Sequence, residues 1–251
     1  MSITDPPFFM RAILFIIFVT AAICAISKER SDTTKVPVHI SGSISLNLNG
    51  IAPIPAFALG KPAIIANASV RKGRFSYDPQ IAYGLNFKPW IIDNWFHFSL
   101  LNTSRFEVRT GIDVSMFFSD YESPDGTKLQ GQRYVALELS GKYKISGNSS
   151  LELMFWRDNG IEEGTISGYF INLVYDIWDI SLGKNLLLAI NVQAFGIDYT
   201  DNNDGLFISP KLTLSTTALS LILFSQGIVP ISTNIEPHPE FQWNVGLGFT
   251  F

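Results

Sequence analysis

Side-chain alternation of period two, held in phase over stretches far longer than an ordinary strand, is the feature that most constrains this chain. In VPVHISGSISLNL, Val36, Val38, Ile40, Ile44, Leu46 and Leu48 alternate with Pro37, His39, Ser41, Ser43, Ser45 and Asn47. Only an extended backbone throws successive side chains onto opposite faces, so this period specifies β-strand. RFSYDPQIAYGLNF sets Phe75, Tyr77, Ile81, Tyr83, Leu85 and Phe87 against Arg74, Ser76, Asp78, Gln80 and Asn86. RFEVRTGIDVSMFF sets Phe106, Val108, Ile112, Val114, Met116 and Phe118 against Arg105, Glu107, Arg109, Asp113 and Ser115. The pattern continues through the terminal EFQWNVGLGFTF, where Phe241, Trp243, Val245, Leu247, Phe249 and Phe251 share a face.

Length separates two environments that both produce alternation. These segments run to about 11 to 15 residues, against about 5 or 6 for a typical soluble strand and about 9 to 11 for a tilted membrane strand. Composition points the same way: 16% of the 251 residues are charged, well below the roughly 25% of soluble domains, so the outer surface does not all face water. Twenty Phe, eight Tyr and five Trp argue against disorder. A net charge of −4 and a pI near 5.4 exclude the basic footprint of a nucleic-acid binder, and no nucleic-acid partner is expected.

Following the alternation predicts twelve strands, near 36–48, 57–70, 74–87, 94–102, 105–119, 131–145, 149–157, 165–177, 185–199, 205–215, 217–225 and 239–251. Gly60, Pro62 and Pro210 interrupt the weakest of them, which leaves ten strands as the alternative. Short turns are expected at 71–73, 102–104, 145–149 and 216–217, with a somewhat longer one around 179–184. Longer loops are expected at SDYESPDGTKLQG, RDNGIEEG, TDNNDG and GIVPISTNIEPHP. Two length classes on opposite ends, with every backbone group paired in a closed ladder, describe an all-β antiparallel transmembrane barrel over 36–251. An even strand count places both termini on the short-turn side, read as the periplasm.

The N-terminal run MRAILFIIFVTAAICAISKER places Arg11 before an apolar stretch that ends in small residues around Ala25. That is the order of a secretory signal peptide, and Ala12 to Ile26 is short of the 18 to 20 apolar residues of a spanning helix. The expectation is a signal peptide at 1–25 with an upstream start before Met10, then a polar linker at 26–35. Cys24 is the one cysteine, so the mature chain has no disulfide, and Ile23 before it fits acylation badly.

With these residues in view the chain resembles outer-membrane β-barrel proteins, whose last strand alternates apolar residues and ends in Phe. Trp243, Val245, Leu247, Phe249 and Phe251 match that motif. The resemblance implies an integral barrel in outer-membrane lipid, inserted by the barrel insertion machinery that reads this strand. It covers the mature chain at the level of the class and implies no transport substrate.

The inward faces carry Arg74, Arg105, Arg109, Lys142, Lys144 and Lys211 against Asp78, Glu107, Asp113, Glu138, Glu152 and Asp176. Balanced charges in a narrow lumen are stable when paired or wet. Two expectations follow: an ionic network that stiffens a structural barrel, or a narrow channel that orients a small polar or zwitterionic solute. Two families of outer-membrane lipid hydrolases use a His-x-Ser pair, and WFHFSLLN contains His97-Phe98-Ser99. The pair is turned to the lumen, however, and Leu100 stands where those hydrolases have Asn, so no enzyme is expected. His39, His97 and His238 lack metal-ligand spacing, Asp198, Asp201, Asn203 and Asp204 lack that of a calcium loop, and no cofactor is expected. Two apolar loops, GIAPIPAFALGKPA and GIVPISTNIEPHP, are expected either to fold inward and narrow the pore or to dock a partner protein of an outer-membrane complex.

Overall fold

The computed structural model describes residues 36–52, 57–200, 203–236 and 238–251, so the signal segment and linker read at 1–35 lie outside the described residues. Twelve strands follow in order: β1 Val38–Asn47, β2 Ala63–Lys72, β3 Phe75–Gly84, β4 Pro89–Asn102, β5 Phe106–Ser123 and β6 Gly126–Ser146, then β7 Ser149–Gly160, β8 Ser167–Ser181, β9 Leu186–Tyr199, β10 Asn203–Thr216, β11 Leu219–Thr233 and β12 Gln242–Thr250. Each pairs antiparallel with its sequence neighbours, and β1 pairs with β12, closing the barrel. Closure leaves no edge, the condition for strands in lipid.

The faces follow the alternation. Leu137, Leu139, Tyr143 and Ile145 of β6, Leu151, Leu153 and Phe155 of β7, and Ile171 and Leu173 of β8 are all exposed on the outer surface. In water so many exposed large apolar groups would drive association; here they form the lipid-facing belt. Tyr169 and Tyr175 flank the apolar pair on β8, and Arg157 lies over the Tyr169 ring at 4.5 Å. Outward Arg133 pairs with Glu162 at 2.5 Å, so charged side chains mark the loop-side limit of the belt.

Several boundaries differ from the alternation: β4 begins at Pro89 rather than near 94 and β8 runs to Ser181 rather than to 177, and three regions differ for identifiable reasons. β2 begins at Ala63 rather than near 57, because Gly60 adopts a positive φ of 65° and Pro62 has no N–H for the ladder. β5 and β6 continue as a hairpin through SDYESPDGTKLQG to the pair Ser123↔Gly126. There the ladder leaves the lipid, so its side chains no longer need to alternate in polarity. β11 likewise runs to Thr233, through the first half of GIVPISTNIEPHP.

The β1–β12 seam explains the terminal phenylalanine. Gly42 and Phe251 exchange both backbone hydrogen bonds at 3.0 Å. The Phe251 ring lies over Gly42 on the lipid face, where an added Cβ would stand 2.5 Å from a ring carbon. Inside the same seam, Asn244 Nδ2 donates to Asn47 Oδ1 at 2.8 Å and Asn47 Nδ2 to Ser45 Oγ at 3.0 Å.

Both apolar loops contribute to the interior. Ala52, Phe57 and Leu59 of the β1–β2 connection pack with Ala63, Ala82 and Trp90, and Phe57 also joins the cluster around Phe170, Phe195 and Phe207. Ile235, from the β11–β12 connection, is buried in that second cluster. Trp90 enters through an irregularity: Ala82 pairs with Ile91 but Tyr83 with Pro89, so Trp90 is the extra residue of a bulge. The bulge turns its indole inward, where Nε1 donates to the Phe57 carbonyl at 2.7 Å.

Candidate functional site

Inward-facing polar residues of β3 to β7 form one ladder of alternating charge. Asp78 on β3 accepts hydrogen bonds from Ser69 and, at 2.7 Å, from Ser76, and meets His97 Nδ1 on β4 at 2.7 Å. The other ring nitrogen of His97 is 3.6 Å from Glu138 on β6. Arg109 on β5 donates from Nε to Glu138 and to Ser140, both at 3.0 Å, and its second terminal nitrogen lies 3.5 Å from Glu152 on β7. Lys142 ends the ladder with a 3.1 Å bond to Glu152. Glu138 is its centre: its side chain is 2% exposed and also accepts from Ser140 at 2.8 Å and from the Trp156 indole at 2.9 Å. Three carboxylates thus interleave with one imidazole, one guanidinium and one ammonium. Burial without such partners would cost several kcal/mol per ion.

The expected network residues divide into members and non-members. Asp78, Arg109, Glu138, Lys142 and Glu152 are members. Arg74 and Arg105 are not; they stand exposed in the turns before β3 and β5, because the inward phase there has already reached the barrel end. Lys144 is likewise exposed near the end of β6. Glu107 accepts from Ser99, at 3.2 Å, and has no ion pair among the described residues. Asp113 is buried and has no ion pair among the described residues; its carboxylate accepts the backbone N–H of Asn94 at 2.8 Å. Lys211 lies on β10, across the lumen. His97 was legible only as an inward-facing residue, since its bridging role depends on which strands come together.

Beside the ladder an aromatic row crosses the interior. Trp95 stacks on His97 at 5.4 Å and touches Trp156 at 5.1 Å; Trp156 meets Phe170 at 4.6 Å, Phe170 meets Phe195 at 5.6 Å, and Phe195 meets Phe207 at 5.1 Å. Phe170, Phe195 and Phe207 are 1%, 1% and 0% exposed. Phe57 enters from the loop end against Phe117 at 4.6 Å and Tyr134 at 5.3 Å. Towards the short turns the walls of β8 to β11 become polar. They line a cavity of about 320 Å³ that includes Asp176, Asn191, Gln193, Lys211, Thr213 and Gln226.

His97 and Ser99 do not form a nucleophilic pair here. A serine nucleophile needs its hydroxyl within hydrogen-bond reach of the base, whereas the Ser99 hydroxyl donates to Glu107 and the His97 nitrogens face Asp78 and Glu138. Among the described residues no three His, Cys, Asp or Glu side chains are grouped so as to hold a metal ion.

No family model matches the chain, and no curated protein sequence matches it. Among solved structures, the KdgM porin is similar over 84% of this chain and 99% of its own, with a TM-score of 0.57 and 11% identity. LpxR from Salmonella typhimurium covers 84% of this chain and 99% of its own at a TM-score of 0.46 and 12% identity. A loop-deletion form of OmpT, an outer membrane protein of Vibrio cholerae, covers 86% and 99% at a TM-score of 0.45 and 8% identity. The likeness to the KdgM porin establishes a shared fold, that of the outer-membrane β-barrels.

Proposed function

We propose that this protein is a non-enzymatic integral barrel of the outer membrane whose lumen is closed across its loop-side half, so that it serves as a rigid structural barrel in this state. The observation that carries the proposal is the fully buried aromatic row Phe170, Phe195 and Phe207, joined at the loop end by Phe57. An aqueous pore needs a continuous polar path, and these rings interrupt it. The ionic ladder beside them adds cross-links between five adjacent strands.

A narrow channel for small polar solutes is the second reading, favoured by the polar cavity towards the short turns and by the fold shared with a porin. Conductance in planar bilayers distinguishes the two. A closed barrel gives no steady current from the wild-type protein; a steady ohmic current from single insertions makes the channel the better description.

The short turns and both termini lie towards the periplasm in this proposal, and the alternating terminal strand through Phe251 is what the insertion machinery reads. Protease cleavage of a site inserted at the β5–β6 tip in intact cells tests the orientation. A docked partner protein finds less support, since both apolar loops send side chains into the interior. Absence of catalysis is supported by the separate partners of His97 and Ser99, and a phospholipid hydrolysis assay checks it.

A further inference from the structure

The polar cavity towards the short turns holds two opposite charges, Lys211 and Asp176, that form no ion pair within 4.0 Å among the described residues. Lys211 Nζ sits over the Phe224 ring, 4.6 Å from its centroid, and has no carboxylate within 4.0 Å among the described residues. Asp176 lines the same cavity and takes its hydrogen bond from an amide rather than from an ammonium: Asn191 Nδ2 donates to its Oδ1 at 2.7 Å. That amide belongs to a directed chain. Asn172 Nδ2 donates to Gln193 Oε1 at 2.9 Å, and Gln193 Nε2 donates to Asn191 Oδ1 at 2.9 Å, so every donor in the series points towards Asp176. The chain starts from a buried atom, Asn172 Oδ1, that has no hydrogen-bond partner among the described residues.

Opposite charges that share a confined space attract strongly when water is scarce. Here each is held by its own neighbours: the ring under Lys211 stabilises the ammonium from one side, and the polarised amide chain stabilises and orients the carboxylate. Their free sides both open on the same cavity of about 320 Å³, the lower end of the range for small-molecule sites. We infer that this cavity is a binding site for a small zwitterion, with the ligand's anionic group at Lys211 and its cationic group at Asp176. A ligand of this class neutralises both charges at once, which a simple anion or cation does not. The site is independent of conduction, because a closed lumen entered from the short-turn side binds as an open one does, and conductance tests the closed lumen separately.

The test is isothermal titration of the folded full-length barrel, in detergent, with three probes: free serine, N-acetylserine, which keeps only the anion, and serine methyl ester, which keeps only the cation. The zwitterion is expected to bind saturably and at least tenfold more tightly than either single-charge analogue. Lys211→Met and Asp176→Asn are each expected to weaken serine binding at least tenfold. Lys72→Met, on the exposed rim, should leave it unchanged, and heat-modifiable mobility on gels reports that each variant is folded. If serine fails to bind the folded wild type, if an analogue binds as well, or if folded Lys211→Met binds serine normally, the inference is overturned.

Discussion

Arg109 illustrates how much a single side chain can bear in a crowded lumen. Without its guanidinium, Glu138 keeps His97, Ser140 and Trp156 as neighbours but loses its closest cation, and Glu152 keeps only Lys142. Breaking a buried pair from one side costs about 3 to 5 kcal/mol. The remaining partners of Glu138 put Arg109→Ala near the lower end, about 3 kcal/mol, read from denaturant refolding into lipid vesicles. Lys128→Ala, in an exposed pair with Asp125, should cost under about 1 kcal/mol. An unchanged midpoint for Arg109→Ala, accompanied by a shift towards cation selectivity, would mean a hydrated pore and would sink the closed-lumen proposal. Gly42 bears a different load. A Cβ there would meet the Phe251 ring at 2.5 Å and the Asn67 carbonyl oxygen at 2.7 Å. Gly42→Val should therefore cost about 1 to 3 kcal/mol by overpacking, whereas Gly147→Val, with open space around it, should leave the same refolding titration nearly unchanged.

At the scale of elements, the described ends of the β1–β2 connection pack into the barrel interior. Phe57 links the two internal clusters, and its carbonyl is fixed by the Trp90 indole that the β4 bulge turns inward. Phe57→Ala removes both ring contacts, with Phe117 and Tyr134, each worth about 0.5 to 1.5 kcal/mol beyond burial. The expected outcome is a modest loss of stability together with brief openings in planar bilayers that the wild type lacks. A variant as silent as the wild type would show that the aromatic row from Trp95 to Phe207 closes the lumen without the connection.

For the molecule as a whole, stability depends on the outer face meeting hydrocarbon and the inner face meeting its own polar partners. Ile112 is 42% exposed on the outer face of β5 while its neighbour Asp113 is buried inside. Ile112→Arg should destabilise the folded barrel in vesicles by about 2 to 4 kcal/mol, the cost of a cation near the bilayer midplane. Asp113→Asn keeps the oxygen that accepts from the Asn94 N–H and should cost less. The reverse order would mean that the inside and outside of the barrel are exchanged.

Alternation by itself determined the antiparallel closure and the two faces and left twelve or ten strands, because period two in a membrane strand is imposed residue by residue by lipid on one side and polar surroundings on the other; the count of twelve came from the tertiary structure, where β2 and β10 hold their places despite Pro62 and Pro210. Asp78, Arg109, Glu138, Lys142 and Glu152 could be assigned to the inside on that ground alone. Which of them touch was decided only by the tertiary structure. Strand register and the width of the lumen bring His97 between Asp78 and Glu138, while Arg74 and Arg105, of the same phase, end in exposed turns. The β5–β6 hairpin also escaped the pattern, because beyond the bilayer a ladder is held by backbone hydrogen bonds that leave no mark on side-chain polarity. The same holds for the inward path of Phe57 and Ile235. An apolar loop has two ways to leave water, and only the space available inside this closed barrel selects the inward one.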